Sequence, residues 1–513
     1  MAADGHRTRP TQACLTCKTR KKKCNKGLPS CSYCILKDLE CRYVSVTRRR
    51  AYATPNTDSS THTTIHREIL TAETLDDLAP PRTTLPEPVT TPKKTTLYRP
   101  LFECFDSVHL EVQNIIRSTG EFVDDLTARY FRNFHGHLPI ISRTRFQRSL
   151  TATGAPPSAD SSILLLTICL IVYLPNPELL SRAGDTIGRQ SLYLAAKTLL
   201  AQVQGCLQPS IPLIQACLLL ATYEYANGRP EVALVTIAGC ARMAYAARIH
   251  DSRRHNMMNG DSRLEVEEAT NTWWGIVISE RAFICEVGDF EQPMATILPA
   301  GDTRLPIERE KLDRGDLLSL DSTPNIPVSC LAITSIGGFG RAAQASCLLD
   351  QVLKGLVIPD LTTRLPLLES LDRTIQSFLA VILSHNPDIA WPYCTALAVT
   401  VRALFTLHGA ILNIPQQVIS ANFRSLEEWK KSSIAALDTA TTMVNDMVKW
   451  HYSTLPSDGT NDTSPIHIYV VRASIKHMHT RPYNGDYPWS ERAENELQLY
   501  LDRLQHQWVV SYD

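Results

Sequence analysis

The sequence predicts a mainly α protein in three parts. These are a small cysteine-rich module of two short helices at residues 10–45, a basic stretch and flexible linker at 46–104, and a large all-helical regulatory body at 105–513. Three observations carry this reading. Six of the 15 cysteines fall between positions 14 and 41 as a repeated unit. Residues 51–100 hold 13 Thr and 7 Pro with little aromatic content, a composition that cannot bury a core. Beyond about residue 105, apolar residues recur at helical spacing, while strand-like alternation and hairpin dipeptides are rare.

The 513 residues carry 52 Lys+Arg and 52 Asp+Glu, a formal charge of zero that would argue against a polyanionic partner if it were evenly spread. It is segregated instead. Residues 1–50 hold 13 basic and 3 acidic side chains, a balance of +10, and the other 463 hold 39 and 49, a balance of −10. That asymmetry implies a basic nucleic-acid module attached to an acidic body. The opening residues, MAADGHRTRP, lack the apolar core of a secretory signal. The longest apolar run, Ile163–Leu174, stops at Pro175, short of the roughly 20 residues that span a bilayer, so no membrane partner is expected. In a reducing compartment the clustered thiols favour metal ligation over disulfides. The nine other cysteines are scattered singly, mostly in apolar stretches, and read as small buried hydrophobes.

The cluster reads Cys14-x2-Cys17-x6-Cys24-x6-Cys31-x2-Cys34-x6-Cys41, a C-x2-C-x6-C unit occurring twice. Two tetrahedral zinc ions have eight ligand positions, and six thiolates fill them only if two sulfurs bridge both metals. A segment of about 30 residues buries too little to fold alone, so two Zn2+ ions would supply the folding energy. The two repeats differ in charge. Lys18, Arg20, Lys21, Lys22 and Lys23 stand between Cys17 and Cys24 without an acid, whereas Lys37, Asp38 and Glu40 stand with Ile35, Leu36 and Leu39 between Cys34 and Cys41. The first helix is therefore the expected reader of double-stranded DNA, and the second its packing partner. At helical spacing Lys18, Lys21 and Lys22 share one face. Cationic donors there match guanine O6 and N7 in the major groove, and the remaining cations neutralise phosphates. A zinc module that only bound protein would not need five cations in one six-residue spacer.

The segment ACLTCKTRKKKCNKGLPSCSYCILKDLEC resembles the fungal binuclear zinc cluster DNA-binding domain, complete in all six ligand positions and in the basic run before the third cysteine. The resemblance implies that Cys14 and Cys31 are the bridging ligands. It also implies that Lys21 is the main base contact on a CGG-type triplet, with Lys18, Arg20 and Lys23 on the DNA backbone. Pro29 occupies the family's loop proline, and Thr19 and Asn25 stand where other residues are common.

Arg48-Arg49-Arg50 suits phosphate contact or, with Arg20–Lys23, nuclear import, and equally reads as a solvated charge run. Ile65, Ile69, Leu75 and Leu78 make at most a broken pair of heptads, fewer than the three or four a coiled coil requires, so the sequence leaves homodimerisation open. Helical patterns then occupy 108–134, 161–174, 190–206, 210–226, 230–250, 265–286, 369–385, 390–412 and 426–450. Within them, Tyr130–His135 with Leu138–Ile141 and Phe146 resembles the opening of the fungal-specific transcription factor (middle homology) domain. Ala241–Ala244 with Ile249-His250 resembles its "RMA…LGLH" helix, although Ala247-Arg248 replaces Leu-Gly. Asn271–Trp274 with Glu280-Arg281 resembles "R-x-x-W-W…D-R", with Asn271 and Glu280 departing, and Leu298-Pro299 follows.

The body shows no G-x-S-x-G, H-E-x-x-H or phosphate-loop motif, so no enzyme is expected. Gly338–Ala343 matches G-x-G-x-x-A, yet a dinucleotide site needs a preceding strand, and the surroundings read as a turn entering a helix. The pairs His135/His137 and His477/His479 read as surface or capping histidines, and Trp273-Trp274 as core packing. The acidic, aromatic segment 484–513 could recruit the transcription machinery, but Leu497, Leu501, Leu504 and Trp508 fit a docked terminal helix better. Together these features imply a nuclear, sequence-specific transcription factor acting on RNA polymerase II genes. The architecture resembles pathway-specific regulators of fungal metabolic gene clusters, secondary metabolism included.

Overall fold

A computed structural model describes residues 13–20, 22–27, 29–37, 39, 41, 101–151, 156–174, 187–251, 261–315, 324–384, 393–415, 424–454, 464–480 and 491–508. The chain divides into two compact units, residues 1–93 and 94–513. In the first, two five-residue helices, α1 (Leu15–Thr19) and α2 (Ser32–Leu36), carry the cysteine repeats. Lys21, Arg48–Arg50 and the heptad residues Ile65, Ile69, Leu75 and Leu78 lie outside the described residues.

Among the described residues of the second unit the regular structure is helical, apart from one isolated antiparallel bridge between Arg304 and Pro327. Its helices are α3 (Leu101–Ser118), α4 (Val123–Arg132), α5 (Arg143–Thr151), α6 (Ala159–Val172), α7 (Arg189–Cys206), α8 (Ile211–Ala226), α9 (Pro230–Ala246) and α10 (Asp261–Val287). They continue with α11 (Arg309–Arg314), α12 (Gly338–Leu356), α13 (Leu361–Leu383), α14 (Cys394–Leu412), α15 (Arg424–Thr454), α16 (Ile466–Thr480) and α17 (Glu491–Trp508). Two helices form the centre. Every residue of α6 except Asp160 is buried, as is every residue of α8 from Leu213 onward. A helix covered on all sides needs no polar stripe, which is why both read in sequence as plain apolar runs.

Local signals set the helix ends. Ser210 caps α8 by accepting from the Leu213 N–H, and the helix closes at Gly228, whose φ of +73° lets the Arg229 N–H return to the Glu224 carbonyl. Pro230 then opens α9, where its missing donor costs nothing. The single pattern expected over 108–134 is instead two helices. Gly120, at φ +75°, breaks it, and the Thr119 hydroxyl donates to the Ile116 carbonyl at 2.6 Å. The linker expected to run to 104 gives way to α3 at Leu101. The terminal segment docks as α17, burying Leu497, Leu501, Leu504 and Trp508.

The apolar helix α14 is long enough by length and composition to cross a membrane. Here it is a core helix packed against α12 and α15, with Arg402 paired to Glu286 at 2.9 Å and His408 to Ser433 at 3.1 Å. Of the scattered cysteines, Cys169, Cys217, Cys240, Cys285 and Cys394 are buried and Cys206 is exposed.

The family departures in the body have local explanations. Asn271 donates through Nδ2 to the carbonyls of Pro139 and Ile307 and accepts the Ile307 N–H, tying three segments together. Glu280 accepts from the Ala295 and Thr296 N–H groups and from Arg281, whose guanidinium also donates to Asp350 Oδ1 at 3.1 and 3.2 Å. That network pins α10 to α12. Arg248 stands where the resembled motif has glycine, and its φ of +58° is the left-handed conformation glycine favours.

The glycines at the head of α12 also find their reason. Among the described residues no strand precedes them; Gly337 caps the helix, and Glu308 places its carboxylate against the helix end, accepting from Phe339 N at 3.1 Å and Gly340 N at 3.0 Å. The position a bound phosphate would need is filled by the chain's own anion.

Candidate metal centre and nucleic-acid interface

The two cysteine units fold into matching pieces of backbone. Cys14 and Cys31 are the N-caps of α1 and α2, with ψ of 153° in both. Three bonds recur seventeen residues apart. Lys18 N to Cys14 O (3.0 Å) matches Ile35 N to Cys31 O (3.0 Å), and Arg20 N to Thr16 O (3.1 Å) matches Lys37 N to Tyr33 O (3.2 Å). Lys22 N to Cys17 O (2.9 Å) likewise matches Leu39 N to Cys34 O (2.9 Å). The sequence repeat is thus a structural repeat, and each C-x2-C pair aims both sulfurs to one side of its helix.

Those sulfurs converge. Cys14, Cys17, Cys24 and Cys31 form one group whose sulfur atoms all lie within 4.8 Å of one another, and Cys14, Cys31, Cys34 and Cys41 form a second. The two groups share Cys14 and Cys31. Measured Sγ–Sγ separations are 3.8 Å for Cys14–Cys31, 3.7 Å for Cys14–Cys34 and 3.5 Å for Cys17–Cys31. A tetrahedral zinc site with Zn–S near 2.3 Å has edges of about 3.8 Å, so the residues present fit such ions. Among the described residues no other cluster of potential ligands is this tight.

The electrostatics suit a cation. Burial raises the thiol pKa of Cys14 and Cys17 and pushes Cys34 up to about 12. Cys31 is lowered to about 6, first because the Cys34 backbone N–H donates to its sulfur. Cys14, Cys17 and Cys34 therefore hold their protons until a dication replaces them, while Cys31 gives up its own most readily. When bound, zinc supplies positive charge at the centre and covalent closure of the module.

Around the sulfurs, Lys18, Arg20, Lys22 and Lys23 are on the first repeat and all four are exposed, while the second exposes Ile35, Leu36 and Lys37. The expected polarity between the two halves is therefore present in the described residues. Asn25, marked only as a departure in sequence, ties the module together. Its Oδ1 accepts the Ser32 N–H at 2.9 Å and its Nδ2 donates to Ser32 Oγ at 2.5 Å. These bonds stitch the loop after the first repeat to the start of α2. An Asn in a loop ahead of a Ser-led helix was the available signal.

The histidine pairs of the body correct the surface reading. His135, His137 and His477 are buried, with His135 bonded to Asp313 at 3.1 Å and His477 to Asp438 at 2.8 Å; only His479 of the four is exposed, beside Glu494. These are ties between helices, and among the described residues they join no ligand cluster. Trp274 is core, fully buried, with its indole N–H donating to the Arg304 carbonyl.

Comparison with known proteins agrees with this geometry. The family model described as the fungal Zn(2)-Cys(6) binuclear cluster domain matches residues 12–51, and the one described as the fungal specific transcription factor domain matches residues 127–310. The chain is also 31% identical over 129 residues to a protein named Transcription factor BOA15 of Botryotinia fuckeliana (strain B05.10), covering 25% of this chain and 68% of that relative. The chain belongs to the fungal Zn(2)-Cys(6) binuclear cluster transcription factors, a family of zinc-containing, DNA-binding regulators and not of enzymes.

Proposed function

We propose that this protein is a nuclear, sequence-specific regulator of RNA polymerase II transcription, dedicated to one fungal metabolic gene cluster, with secondary metabolism the favoured class. Cys14, Cys17, Cys24, Cys31, Cys34 and Cys41 hold two Zn2+ ions, Cys14 and Cys31 bridging them. The first repeat enters the major groove of double-stranded DNA, where Lys21 reads a CGG-type triplet and Lys18, Arg20, Lys22 and Lys23 hold the flanking phosphates. The observation that carries this reading is the pair of four-sulfur groups sharing two cysteines beside a row of exposed cations concentrated on the first repeat. Phosphate contacts set register and base contacts set sequence, so one lysine is asked to discriminate and its neighbours to hold. Residues 10–45 are the DNA-binding module, 46–100 the tether, and 101–513, from the start of α3, the regulatory body that engages the transcription machinery. A homodimer would form through Ile65, Ile69, Leu75 and Leu78, and sedimentation of the full chain decides it.

Binding of wild-type and Lys21→Ala protein to duplexes with and without a CGG triplet tests the reading. Wild type should prefer the triplet, and the variant should lose that preference at a cost of about 1–3 kcal/mol. Equal, sequence-indifferent binding by both proteins would remove base readout from the proposal.

A further inference from the structure

A cleft of about 260 Å³ opens on the helical body between the end of α9 (Pro230–Ala246), the middle of α10 (Asp261–Val287) and the segment 297–303. Its wall is an aromatic trio. Ring centroids are 4.7 Å apart for Tyr245–His250, 5.2 Å for Tyr245–Trp273 and 5.9 Å for His250–Trp273. Leu298 and Pro299 add apolar surface, and no Lys, Arg, Asp or Glu is among the described residues that line it.

The two adjacent tryptophans are treated differently. Trp274 satisfies its indole N–H on the Arg304 carbonyl at 3.3 Å. Trp273 is only 6% exposed and lines the cleft, yet its indole N–H meets no acceptor among the described residues. The indole nitrogen of Trp273 is not among the buried atoms that lack a partner, so the donor is open to solvent on a residue of the cleft wall and is available to a molecule seated there. Tyr245 adds a second donor. Its hydroxyl oxygen accepts the Ile297 N–H at 2.8 Å, which leaves its own O–H without an acceptor among the described residues.

We propose that this cleft binds a small neutral molecule with an apolar, ring-containing body and a carbonyl oxygen that accepts from Trp273 and Tyr245. The aromatic wall supplies stacking, and the two donors fix orientation. Neutrality follows from the lining: a carboxylate would lose its hydration with no lysine or arginine to meet it. The volume lies just below the roughly 300–1,000 Å³ of drug-sized sites, which selects a compact molecule. Such a ligand would bridge α9, α10 and the segment after them, and so stabilise the body in proportion to its occupancy.

The probe is prodan, a neutral naphthyl ketone whose emission shifts to the blue in apolar surroundings, titrated into the full-length zinc-loaded protein. Saturable binding at one site per chain is expected, displaced by the neutral ketone acetophenone and far less by benzoate. Ala300→Phe, at an exposed rim position, fills the cleft and should weaken binding at least tenfold while leaving the melting temperature unchanged. Trp273→Phe keeps an aromatic wall and removes the donor, so roughly three- to tenfold weaker binding is expected. Absence of saturable binding, equal displacement by benzoate, or wild-type affinity in Ala300→Phe overturns the proposal; if Trp273→Phe fails to fold, Ala300→Phe decides alone. The assay contains no DNA, so its failure leaves the DNA-binding reading standing.

Discussion

Replacing Glu308 by alanine should destabilise the helical body by about 3 kcal/mol. The side chain makes two charge-assisted bonds to the first N–H groups of α12 (Gly338–Leu356), at 3.1 Å to Phe339 and 3.0 Å to Gly340. Each such bond contributes about 1.5–3 kcal/mol net, and a carboxylate at a helix N-terminus adds about 0.3–1 kcal/mol. Against these stands partial desolvation, since burial raises the Glu308 pKa while both backbone donors lower it. Glu308 is also partly solvent-accessible, so water recovers some of what the truncation removes. The sum therefore falls toward the lower end. Glu308→Gln keeps the shape but offers one acceptor instead of two, and should cost about 1–2 kcal/mol. Gly337→Ala reaches the same outcome from the other side, because a Cβ there would crowd Glu308, lying 2.6 Å from its Cγ, and must expel the carboxylate. Urea unfolding followed by far-UV circular dichroism on the four proteins gives the comparison. A Glu308→Ala midpoint equivalent to less than about 0.5 kcal/mol of loss would refute the capping account, as would a Gly337→Ala protein as stable as wild type.

Other consequences follow from the same structure. Arg248→Gly should raise stability by about 0.5–1 kcal/mol, since φ +58° strains any residue with a Cβ; an unchanged or lower melting temperature would contradict this. Burial lowers His451 to about 3, aided by His467 and His137, and lowers His467 to about 4, opposed by its bond to the Cys394 carbonyl. Both are held neutral, so the unfolded chain binds their protons first, and stability should fall as pH drops from about 6.5 toward 4, by about 2 kcal/mol per residue at pH 5. A His451→Gln/His467→Gln protein should show a flatter melting profile over that window, and an identical slope would refute the assignment. Removing zinc with a chelator should abolish amide-exchange protection over residues 14–41 and leave that of the body intact; protection that survives chelation would show that metal does not hold the module.

Much of this was legible in the chain itself. The six-cysteine repeat carried the metal centre because ligand number and spacing are properties of the primary structure, and the charge segregation carried the polarity of the module. The long helices were visible wherever one face met solvent. The covered helices α6 and α8 were legible as apolar runs of helical length, and periodicity failed where buried polar residues interrupt the stripe, as in α16 with His467, Ser474 and His477.

The sequence by itself determined the class of protein, the six converging sulfurs and the one-sided cations, because each depends on residue type and short spacing. Tertiary structure alone decided what the long-range pairings are. Glu308 meets a backbone N–H 32 residues along the chain, Arg281 meets Asp350 across two helices, and Trp273 keeps a donor free while Trp274 spends its own. The physical reason is the same in each case. Whether a polar group is satisfied depends on which distant backbone or side chain the packed core brings within about 3 Å, and no local pattern encodes that distance.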